Sequence, residues 1–329
     1  MAPVRSGKLS LYGKSVTVMK ILVTGHLCLD VIHHSDGTET QSPGGIFFSV
    51  AALANLLPRS DTVVPVFGIG KNDYDRIIGL IEKYPNIDTS AIFRMNGPTN
   101  QVHLYYKDEK ERVECSKNIS EPIPIKKIRL HLDADMILVN MISGFDLSLE
   151  TLDEIRMEVR DAHIPLYMDV HSLTLGINED FTRFHRPVEA WRRWLFMIHA
   201  AQMNEEEAAV LSEERYGEDG LAKQVLALNT KALIITRGEK GCTAFVDSHK
   251  HIQRHDCPGI RLEKPVDPTG CGDVFAAAYC ASYMRTKDIL SSLTFANKIA
   301  ARKAELAGSD HIDLLSSHAL IEEHGGSSV

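Results

Sequence analysis

Short apolar segments alternate with longer segments of helical periodicity along most of the chain. The strand-like runs are bounded by Gly, Pro or Asp, and apolar residues in the intervening segments recur every three or four positions. The predicted strands are 19–25, 62–67, 135–139, 165–170, 195–198 and 232–241, and the predicted helices are 46–57, 74–84, 149–161 and 288–307. This alternation predicts an α/β fold with a mostly parallel sheet covered on both faces.

Three regions depart from this pattern. Residues 1–18 are polar and basic without a clear period, which predicts a flexible extension ahead of a true start at Met19. Residues 91–118 contain short strands and turns around a charged tip at 107–112, and about 20 residues at the C-terminus are expected to fray. Residues 181–194 are aromatic and rich in Arg, and a packed amphipathic segment is favoured there over a partner surface.

Composition narrows the class of protein. The 329 residues are 44% hydrophobic and 24% charged, as in globular proteins, and the net charge of −8 argues against nucleic acid or an acidic membrane as partner. The acidic runs 205–207 and 213–214 are predicted to be solvated helix faces. Six cysteines without a Cys-x-x-Cys pair predict reduced thiols in the cytoplasm, and no apolar run approaches a membrane span of about 20 residues.

The richest chemistry lies in Asp267-Pro-Thr-Gly-Cys-Gly-Asp273, which precedes the apolar run 274–279. A glycine-bearing turn at a helix N-terminus binds anions, because the first N–H groups lack partners within the helix. Gly270 and Gly272 permit positive φ and close approach of a ligand. Asp273 would repel an anion unless it accepts a proton from a hydroxyl that attacks a phosphate. The residues alone fit either this phosphoryl-transfer site or an ordinary helix cap.

Other polar residues follow predicted strands or open predicted helices. Taken singly, each is also typical of a turn or a cap. They are Asp30, Gly44-Gly45, Asn204-x-x-Glu207, and Thr236-Arg237-Gly238 with Gly241.

In this order, the motifs resemble those of the ribokinase-like (PfkB) carbohydrate kinases, whose C-terminal signature is Asp-Thr-x-Gly-Ala-Gly-Asp. The resemblance covers about residues 20–315. It implies a ribokinase-like three-layer α/β/α sandwich, with a central mostly parallel sheet and a small β-lid from about 31–43 and 91–118 within a kinase domain 19–329. Cys271 replaces the usual Ala, Ser49 stands where Asn is common, and only 13 residues separate Asp30 from Gly44. The identity of the acceptor therefore stays open.

The resemblance implies transfer of the ATP γ-phosphoryl group to a hydroxyl of a sugar or polyol, beneath a lid that excludes water. Asp273 would be the general base, and the main-chain amides of Gly270, Cys271 and Gly272 would form an anion hole. A helix N-terminus would also favour the thiolate of Cys271. The implied acceptor-binding residues are Asp30, Gly44, Gly45 and Ser49.

The resemblance also implies a donor site with metal ions. Glu207 would hold Mg²⁺ through water, and Asp267 with Thr269 would hold a monovalent cation such as K⁺, as in some relatives. Lid strands in relatives often pair across a dimer, so a homodimer is one assembly that the resemblance allows, but nothing in this sequence shows such an edge. The implied nucleotide-binding residues are Asn204, Thr236, Arg237, Gly238, Gly241 and Asn297.

Two alternatives remain at this point. A nucleoside kinase of the same superfamily would use an aromatic acceptor pocket, for which Phe47, Phe48 and Tyr105 are candidates. A sugar or nucleotide sensor without catalysis would use the same fold.

Two further patterns are set aside. Residues 7–15 miss the glycine spacing of a Walker A loop by one residue. His249, His251, His255 and Cys257 lack the spacing of a zinc knuckle and favour an exposed hairpin.

Overall fold

The computed structural model describes residues 9–11, 14–16, 18–33, 37–106, 112–248, 251–262 and 265–320. Within the predicted N-terminal extension, strands β1 (Leu9–Leu11) and β2 (Lys14–Val16) pair antiparallel. The rest of that segment up to residue 17, most of the predicted charged tip (107–111) and the tail 321–329 lie outside the described residues. The predictions of a flexible extension and of a frayed tail therefore stay predictions.

A central sheet of eight strands organises the fold, as the alternating pattern predicts. In spatial order the strands are β18 (His251–Pro258), β17 (Gly241–Ser248), β16 (Ala232–Thr236), β15 (Ala200–Asn204), β12 (Leu166–Asp169), β11 (Met136–Asn140), β3 (Lys20–Thr24) and β6 (Thr62–Val66). The last six are parallel, and β17 and β18 form an antiparallel hairpin at the edge. All five residues of β11 are buried, because both faces of the sheet are covered.

A separate sheet of four strands forms the predicted lid. In spatial order the strands are β10 (Arg112–Lys117), β9 (Asn100–Tyr106), β4 (Leu27–His33) and β5 (Glu39–Gly45). Strands β4 and β9 are parallel, and the other two pairings are antiparallel. Since only residues 25 and 26 separate β3 from β4, the lid is joined directly to the central sheet.

Two small strand pairs complete the β-structure of the described residues. Strands β7 (Gly68–Gly70) and β8 (Phe93–Met95) are parallel, whereas β13 (Leu175–Ile177) and β14 (Arg183–His185) form a hairpin. A bridge between Cys115 and Thr182 attaches this hairpin to the lid.

The helices connect and cover the strands. They are α1 (Ile46–Leu56), α2 (Tyr74–Ile81), α3 (Ile125–Ile128), α4 (Leu149–Val159), α5 (Trp191–Trp194), α6 (Glu205–Val210), α7 (Glu218–Leu226), α8 (Cys271–Thr286) and α9 (Ile289–Lys303). Helix α8 packs between α1 and α9 and also contacts β11 and β12. It is apolar around nearly its whole circumference and is buried accordingly. No helix in the described part of the chain is long and apolar enough to cross a membrane.

The sequence predictions of secondary structure fail at three places. Glu213 and Glu214 lie in a turn between α6 and α7 rather than on a helix face. The predicted strand 195–198 is instead the turn that follows α5, where Met197 has φ 55°, and the strand begins at Ala200. Leu195 and Ile198 are buried as turn residues, which produces a strand-like apolar run. Asp30 lies within β4 rather than in a loop, because the chain enters the lid immediately after the first central strand.

Candidate active site

Polar side chains meet at the carboxyl ends of neighbouring central strands. Asn140 ends β11, Asp169 ends β12, and the sheet register places Asp169 beside both Asn140 and Gln202. This edge is where open α/β sheets bind ligands. Helix α8 brings Asp273 to the same place, where Asn140 Nδ2 donates to Asp273 Oδ1 at 2.7 Å.

The turn before α8 is fixed by Asp267 and by one glycine. Asp267 Oδ1 accepts from the Thr269 N–H at 2.9 Å, and Oδ2 accepts from the Gly308 N–H at 2.8 Å. Burial alone would raise the pKa of Asp267, but these hydrogen bonds hold that pKa below its ordinary value. Gly270 has φ 78°, and a Cβ there would lie 2.6 Å from the Phe48 ring. This position therefore requires glycine.

The first turn of α8 is held from below by buried polar side chains. Tyr167 Oη donates to Gln202 Oε1 at 2.7 Å, and Gln202 Nε2 donates to the Gly272 carbonyl at 3.0 Å. Ser49 Oγ donates to the Asp273 carbonyl at 3.2 Å. Ser49, which the resemblance assigns to the acceptor, is fully buried and supports the backbone of Asp273 in this arrangement.

The amides of the predicted anion hole are not equivalent. The Cys271 N–H donates to the Pro268 carbonyl at 3.1 Å, which leaves Gly270 and Gly272 as the candidates for anion binding in this loop. Gly272 lies in the first turn of α8 and is absent from the positive-φ glycines, so the prediction of positive φ holds for Gly270 but is wrong for Gly272. Gly272 instead lines a cavity, and a Cβ there would contact only Gln202 Nε2, at 3.7 Å.

Asp273 is a buried carboxyl whose pKa is raised. The residue is only 6% exposed, and burial raises its pKa, while the charge of His171 and the hydrogen bond from Asn140 oppose that shift. Burial disfavours the charged imidazole of His171, yet the carboxylates of Asp273 and Asp169 raise the pKa of His171 above its ordinary value. A carboxyl with raised pKa is better matched to accepting a proton near neutral pH.

Asp169 and Asn140 are site residues that the sequence motifs did not identify. Asp169 Oδ2 and Asn140 Oδ1 are buried and have no hydrogen-bond partner in the described ranges. Burial raises the pKa of Asp169 well above its ordinary value, and the charges of Glu207 and Asp273 raise it further. Both residues stand at the carboxyl ends of predicted strands, and that position is the signal that could have found them.

Asn204 and Glu207 form a reciprocal helix cap at the start of α6. Asn204 Oδ1 accepts from the Glu207 N–H at 2.8 Å, and the Glu207 carboxylate accepts from the Asn204 N–H at 2.8 Å. Burial raises the pKa of Glu207. The motif therefore forms the helix cap that its residues also fit. The charge of the Glu207 carboxylate in addition raises the pKa of Asp169.

A cavity of about 690 Å³ adjoins the N-terminus of α8. It brings together Thr236, Gly238, Gly241 and Asn297 from the predicted nucleotide site with Asp267, Cys271 and Gly272 from the opening turn. Gly241 has φ 93°, and a Cβ there would lie 2.1 Å from the Cys257 carbonyl oxygen. Asn297 Nδ2 donates to the Pro258 carbonyl at 2.9 Å, which ties α9 to the end of the edge hairpin.

Three predictions about this cavity need correction. Asn204 does not line it and instead caps α6 together with Glu207. Arg237 neither lines it nor points freely to solvent, because its guanidinium pairs with Glu205 at 2.5 Å and with Glu218 at 2.7 Å. Cys271 does line it, but burial raises the pKa of the thiol to about 11. The expected thiolate is therefore wrong, since desolvation outweighs the helix N-terminus.

Asp30 and the two glycines form the other side of the site. Asp30 is 9% exposed, and a Cβ on Gly44 would lie 2.2 Å from Asp30 Oδ2. Gly45 has φ 57°, and a Cβ there would lie 2.7 Å from Ile142 Cγ2. Both glycines thus permit close packing where the lid runs into α1.

The aromatic candidates for a nucleoside pocket lie elsewhere. Phe47 and Phe48 are 5% and 1% exposed and belong to the core. Tyr105 stacks on His33 with ring centroids 4.0 Å apart, on the lid face opposite Asp30. These rings therefore give no support to an aromatic acceptor pocket.

The histidines near the edge hairpin form no metal centre in the described residues. His251, His255 and Cys257 lie along β18, as the hairpin prediction requires, and His249 lies outside the described residues. No group of three or more His, Cys, Asp or Glu side chains in the described ranges is placed to hold a metal by itself.

Comparisons with known proteins agree with this geometry. Residues 181–313 match the family described as pfkB family carbohydrate kinase. The chain is 22% identical over 280 residues to a cytidine kinase of Thermococcus kodakarensis, covering 83% of this chain and 91% of that protein.

Solved structures share the fold. The ribokinase of Thermotoga maritima aligns with a TM-score of 0.69 and 18% identity, covering 91% of this chain and 98% of that one. A pyrophosphate-dependent kinase of the ribokinase family, solved with sulfate, aligns with a TM-score of 0.72 and 16% identity, covering 91% and 100%. At these identities the structures establish the ribokinase-like fold alone. The match of residues 181–313 and the shared fold make this chain similar to the pfkB family of carbohydrate kinases, with a ribokinase-like fold over most of its length.

Proposed function

We propose that this protein transfers the γ-phosphoryl group of ATP to a hydroxyl of a sugar or another small polyhydroxylated molecule. The observation that carries the proposal is the placement of Asp273. A buried carboxyl of raised pKa stands in the first turn of α8, beside a glycine turn with anion-binding amides. A carboxylate in such a place is useful if it accepts a proton rather than binding the anion.

In the proposed reaction, Asp273 accepts the proton of the acceptor hydroxyl as that oxygen attacks phosphorus. The hydrogen bond from Asn140 fixes one carboxylate oxygen and leaves the other for the hydroxyl. The amides of Gly270 and Gly272 stabilise the charge on the transferring group. Gln202 keeps the Gly272 peptide in position through its carbonyl.

The cavity beside α8 supports a nucleotide as donor. Its volume of about 690 Å³ lies within the usual range of roughly 300–1,000 Å³ for small-molecule sites. Gly241, which lines it, allows the backbone to turn at φ 93° against the Cys257 carbonyl. Pyrophosphate would need only the end of the cavity nearest Gly272, and the solved pyrophosphate-dependent relative makes it the donor to test against ATP.

The carboxylates at the strand ends fit Mg²⁺. Asp169 Oδ2 is buried and has no hydrogen-bond partner in the described ranges. Burial and the nearby charge of Glu207 both raise the pKa of Asp169. A divalent cation would offset the repulsion between the two carboxylates. Asp169 would hold the ion together with Glu207 through water, and donor phosphates would complete its shell. When bound, Mg²⁺ supplies neutralisation of phosphate charge.

An assay of donor consumption tests this function. ATP and pyrophosphate are each offered with sugars, polyols and nucleosides, the last because of the similarity to a cytidine kinase. We expect acceptor-dependent ADP release with ATP and at least about 10² less with the Asp273→Asn variant. Binding of both ligands by calorimetry without turnover of any acceptor would instead indicate a sensor.

A further inference from the structure

Another cavity lies at the edge of the central sheet opposite the candidate active site. It has a volume of about 520 Å³ and adjoins the amino ends of β12, β15 and β16, where Leu166, His199 and Lys231 line it. Tyr283 and Lys287, at the carboxyl end of α8, also line it. The first turn of α8 is about 20 Å from Lys287 along the helix. The two cavities share no lining residue and are therefore separate.

Basic side chains dominate the lining of this cavity. Six of the fourteen described residues that line it are Arg, Lys or His, and none of the fourteen is Asp or Glu. This local composition contrasts with the net charge of −8 on the whole chain. The six are Arg156, Arg160, His163, His199, Lys231 and Lys287.

The two arginines of the lining have carboxylate partners that lie outside it. Arg156 is 6% exposed, pairs with Asp153, and donates to the Arg193 carbonyl at 2.7 Å. Arg160 pairs with Asp161 at 3.0 Å. Since these pairs largely balance the charge of the arginines, the excess positive charge of the lining belongs to its two lysines.

Neither lysine pairs with a carboxylate in the described part of the chain. Lys231 Nζ donates to Asn229 Oδ1 at 3.0 Å, and Lys287 Nζ lies 5.6 Å from the centre of the Tyr283 ring. Burial lowers the pKa of Lys287, and the charge of Asp135 opposes that shift. Lys287 also caps the carboxyl end of α8, where a cation offsets the helix dipole. Lys231 precedes a strand, so the helix dipole does not account for its position.

His199 shows that the charge of both lysines reaches the buried wall of the cavity. This residue is 9% exposed, its Nε2 lies 3.1 Å from Tyr279 Oη, and its ring centroid lies 4.1 Å from that of Tyr283. Burial, with the charges of Lys287 and Lys231, lowers the pKa of His199 to about 4. The imidazole is therefore neutral at pH 7, and an anion in the cavity would meet two ammonium groups and no opposing carboxylate in the lining.

We infer that this cavity binds a small phosphorylated molecule at a site separate from the proposed donor and acceptor sites. The ammonium groups of Lys231 and Lys287 donate to the phosphate oxygens, and the side chains of Asn229 and Tyr283 offer further donors. A phosphate ester is favoured over a carboxylate or a sulfate ester, because it carries close to two negative charges above pH 7. The volume lies within the range of roughly 300–1,000 Å³ that is usual for small-molecule sites. This inference does not depend on the kinase function.

Calorimetry at pH 8 and constant ionic strength tests the site, with inorganic phosphate and phenyl phosphate as probes. Phenyl sulfate is the matched ligand with a single charge. Each titration is repeated with a non-hydrolysable ATP analogue at saturation, so that the donor cavity is filled. We expect saturable binding of phenyl phosphate at one site per chain, unchanged by the analogue, and binding of phenyl sulfate that is weaker by about fivefold or more.

Variants of the two lysines locate the bound anion. Lys231→Gln and Lys287→Gln should each weaken the binding of phenyl phosphate by about tenfold, because each removes a charged donor to the phosphate. Lys223→Gln removes the same charge from an exposed position on α7 that does not line the cavity. That control should keep the affinity within about twofold of the wild type.

A second measurement reads the site without relying on the lysine variants. The ring signal of His199 in the NMR spectrum, assigned by its loss in the His199→Gln variant, should move as phenyl phosphate is added to the wild type. It should give the same dissociation constant as calorimetry. Thermal melts establish that each variant is folded.

Three results would overturn the inference. They are the absence of saturable binding at millimolar phenyl phosphate, binding that disappears when the ATP analogue is present, and binding that both lysine variants leave unchanged while the His199 signal stays still. Each of these leaves the kinase function standing, since that function is tested by turnover. Conversely, a protein that turns over no acceptor can still show the anion site by calorimetry and NMR.

Discussion

The proposed donor side and the proposed acceptor side of this site are built in different ways. The proposed donor cavity is lined in part by glycines, and at two of them, Gly241 and Gly259, a Cβ would collide with main chain. The proposed acceptor side instead has a charged side chain, Asp30, on lid strand β4. A phosphate chain is the same in every ATP, whereas acceptors vary. The comparison suggests a division of roles. The phosphate chain of the donor would be bound by main-chain groups in a fixed conformation, whereas the acceptor would be bound by side chains that can differ between relatives.

Asp273 lies between the two sides, and substituting it should have the largest effect on turnover. Asp273→Asn keeps the oxygen that accepts from Asn140 but cannot take a proton. We expect kcat to fall by at least about 10² while the ATP KM changes little. Steady-state kinetics measure both, and turnover near that of the wild type would remove Asp273 as the base.

The same variant should be more stable, in a manner that depends on pH. Because burial raises the pKa of Asp273 in the folded state, the folded protein binds more protons than the unfolded chain between the two pKa values. The contribution of this carboxyl is therefore most favourable below its unfolded pKa and is lost as pH rises through the folded pKa. Melting curves should show a larger gain in Tm for Asp273→Asn at pH 8 than at pH 4. An equal gain at both values would argue against a raised pKa.

The acceptor side is tested next by Asp30→Ala. Asp30 lies on lid strand β4 and does not line the donor cavity. We expect the KM of the acceptor to rise by about tenfold or more, because a carboxylate that accepts from sugar hydroxyls is lost. The KM of ATP should change far less. Equal changes in both constants would show that the two sides are not separate in the way described.

A smaller effect is expected from monovalent cations, although Asp267 and Thr269 resemble a cation-binding pair. Both oxygens of Asp267 accept main-chain N–H groups, and the fully buried Lys303 ammonium donates to the Leu306 carbonyl at 3.3 Å. Burial lowers the pKa of Lys303, and the charges of Asp267 and Asp273 oppose that shift. We propose that Lys303 supplies the positive charge at this turn.

Replacing K⁺ by choline at constant ionic strength should therefore change kcat by less than about twofold, since a fixed ammonium already balances Asp267. Strong activation by K⁺ would restore Asp267 and Thr269 as a cation site. The Lys303→Met variant, compared in the same two salts, shows whether the ammonium is what makes the wild type insensitive.

The sequence predicted the residues of the proposed donor side better than those of the proposed acceptor side, and the reason is physical. Gly270 and Gly241 are required by backbone geometry, and glycine at a strand end or helix start can be read directly from the chain. Ser49, predicted for the acceptor, reaches the Asp273 carbonyl only through the packing of α1 against α8, which lie far apart in sequence. No periodicity reports such a contact. Arg237 shows the opposite error, since a cation beside a glycine turn suggested a phosphate although two carboxylates pair with it.

The smallest effect should come from Cys271, whose thiol lies in the donor cavity. Burial raises its pKa to about 11, so only a very small fraction is thiolate at pH 7.5. Alkylation by iodoacetamide should be slow at that pH and should accelerate as pH rises, and Cys271→Ala should keep kcat within about twofold because the residue supplies only a wall and a main-chain amide. Modification is located by mass spectrometry, with ATP added in a parallel sample. Rapid alkylation of Cys271 at pH 7.5 that ATP prevents would mean that the helix N-terminus lowers the pKa of the thiol more than burial raises it. The donor cavity would then contain a negatively charged thiolate side chain.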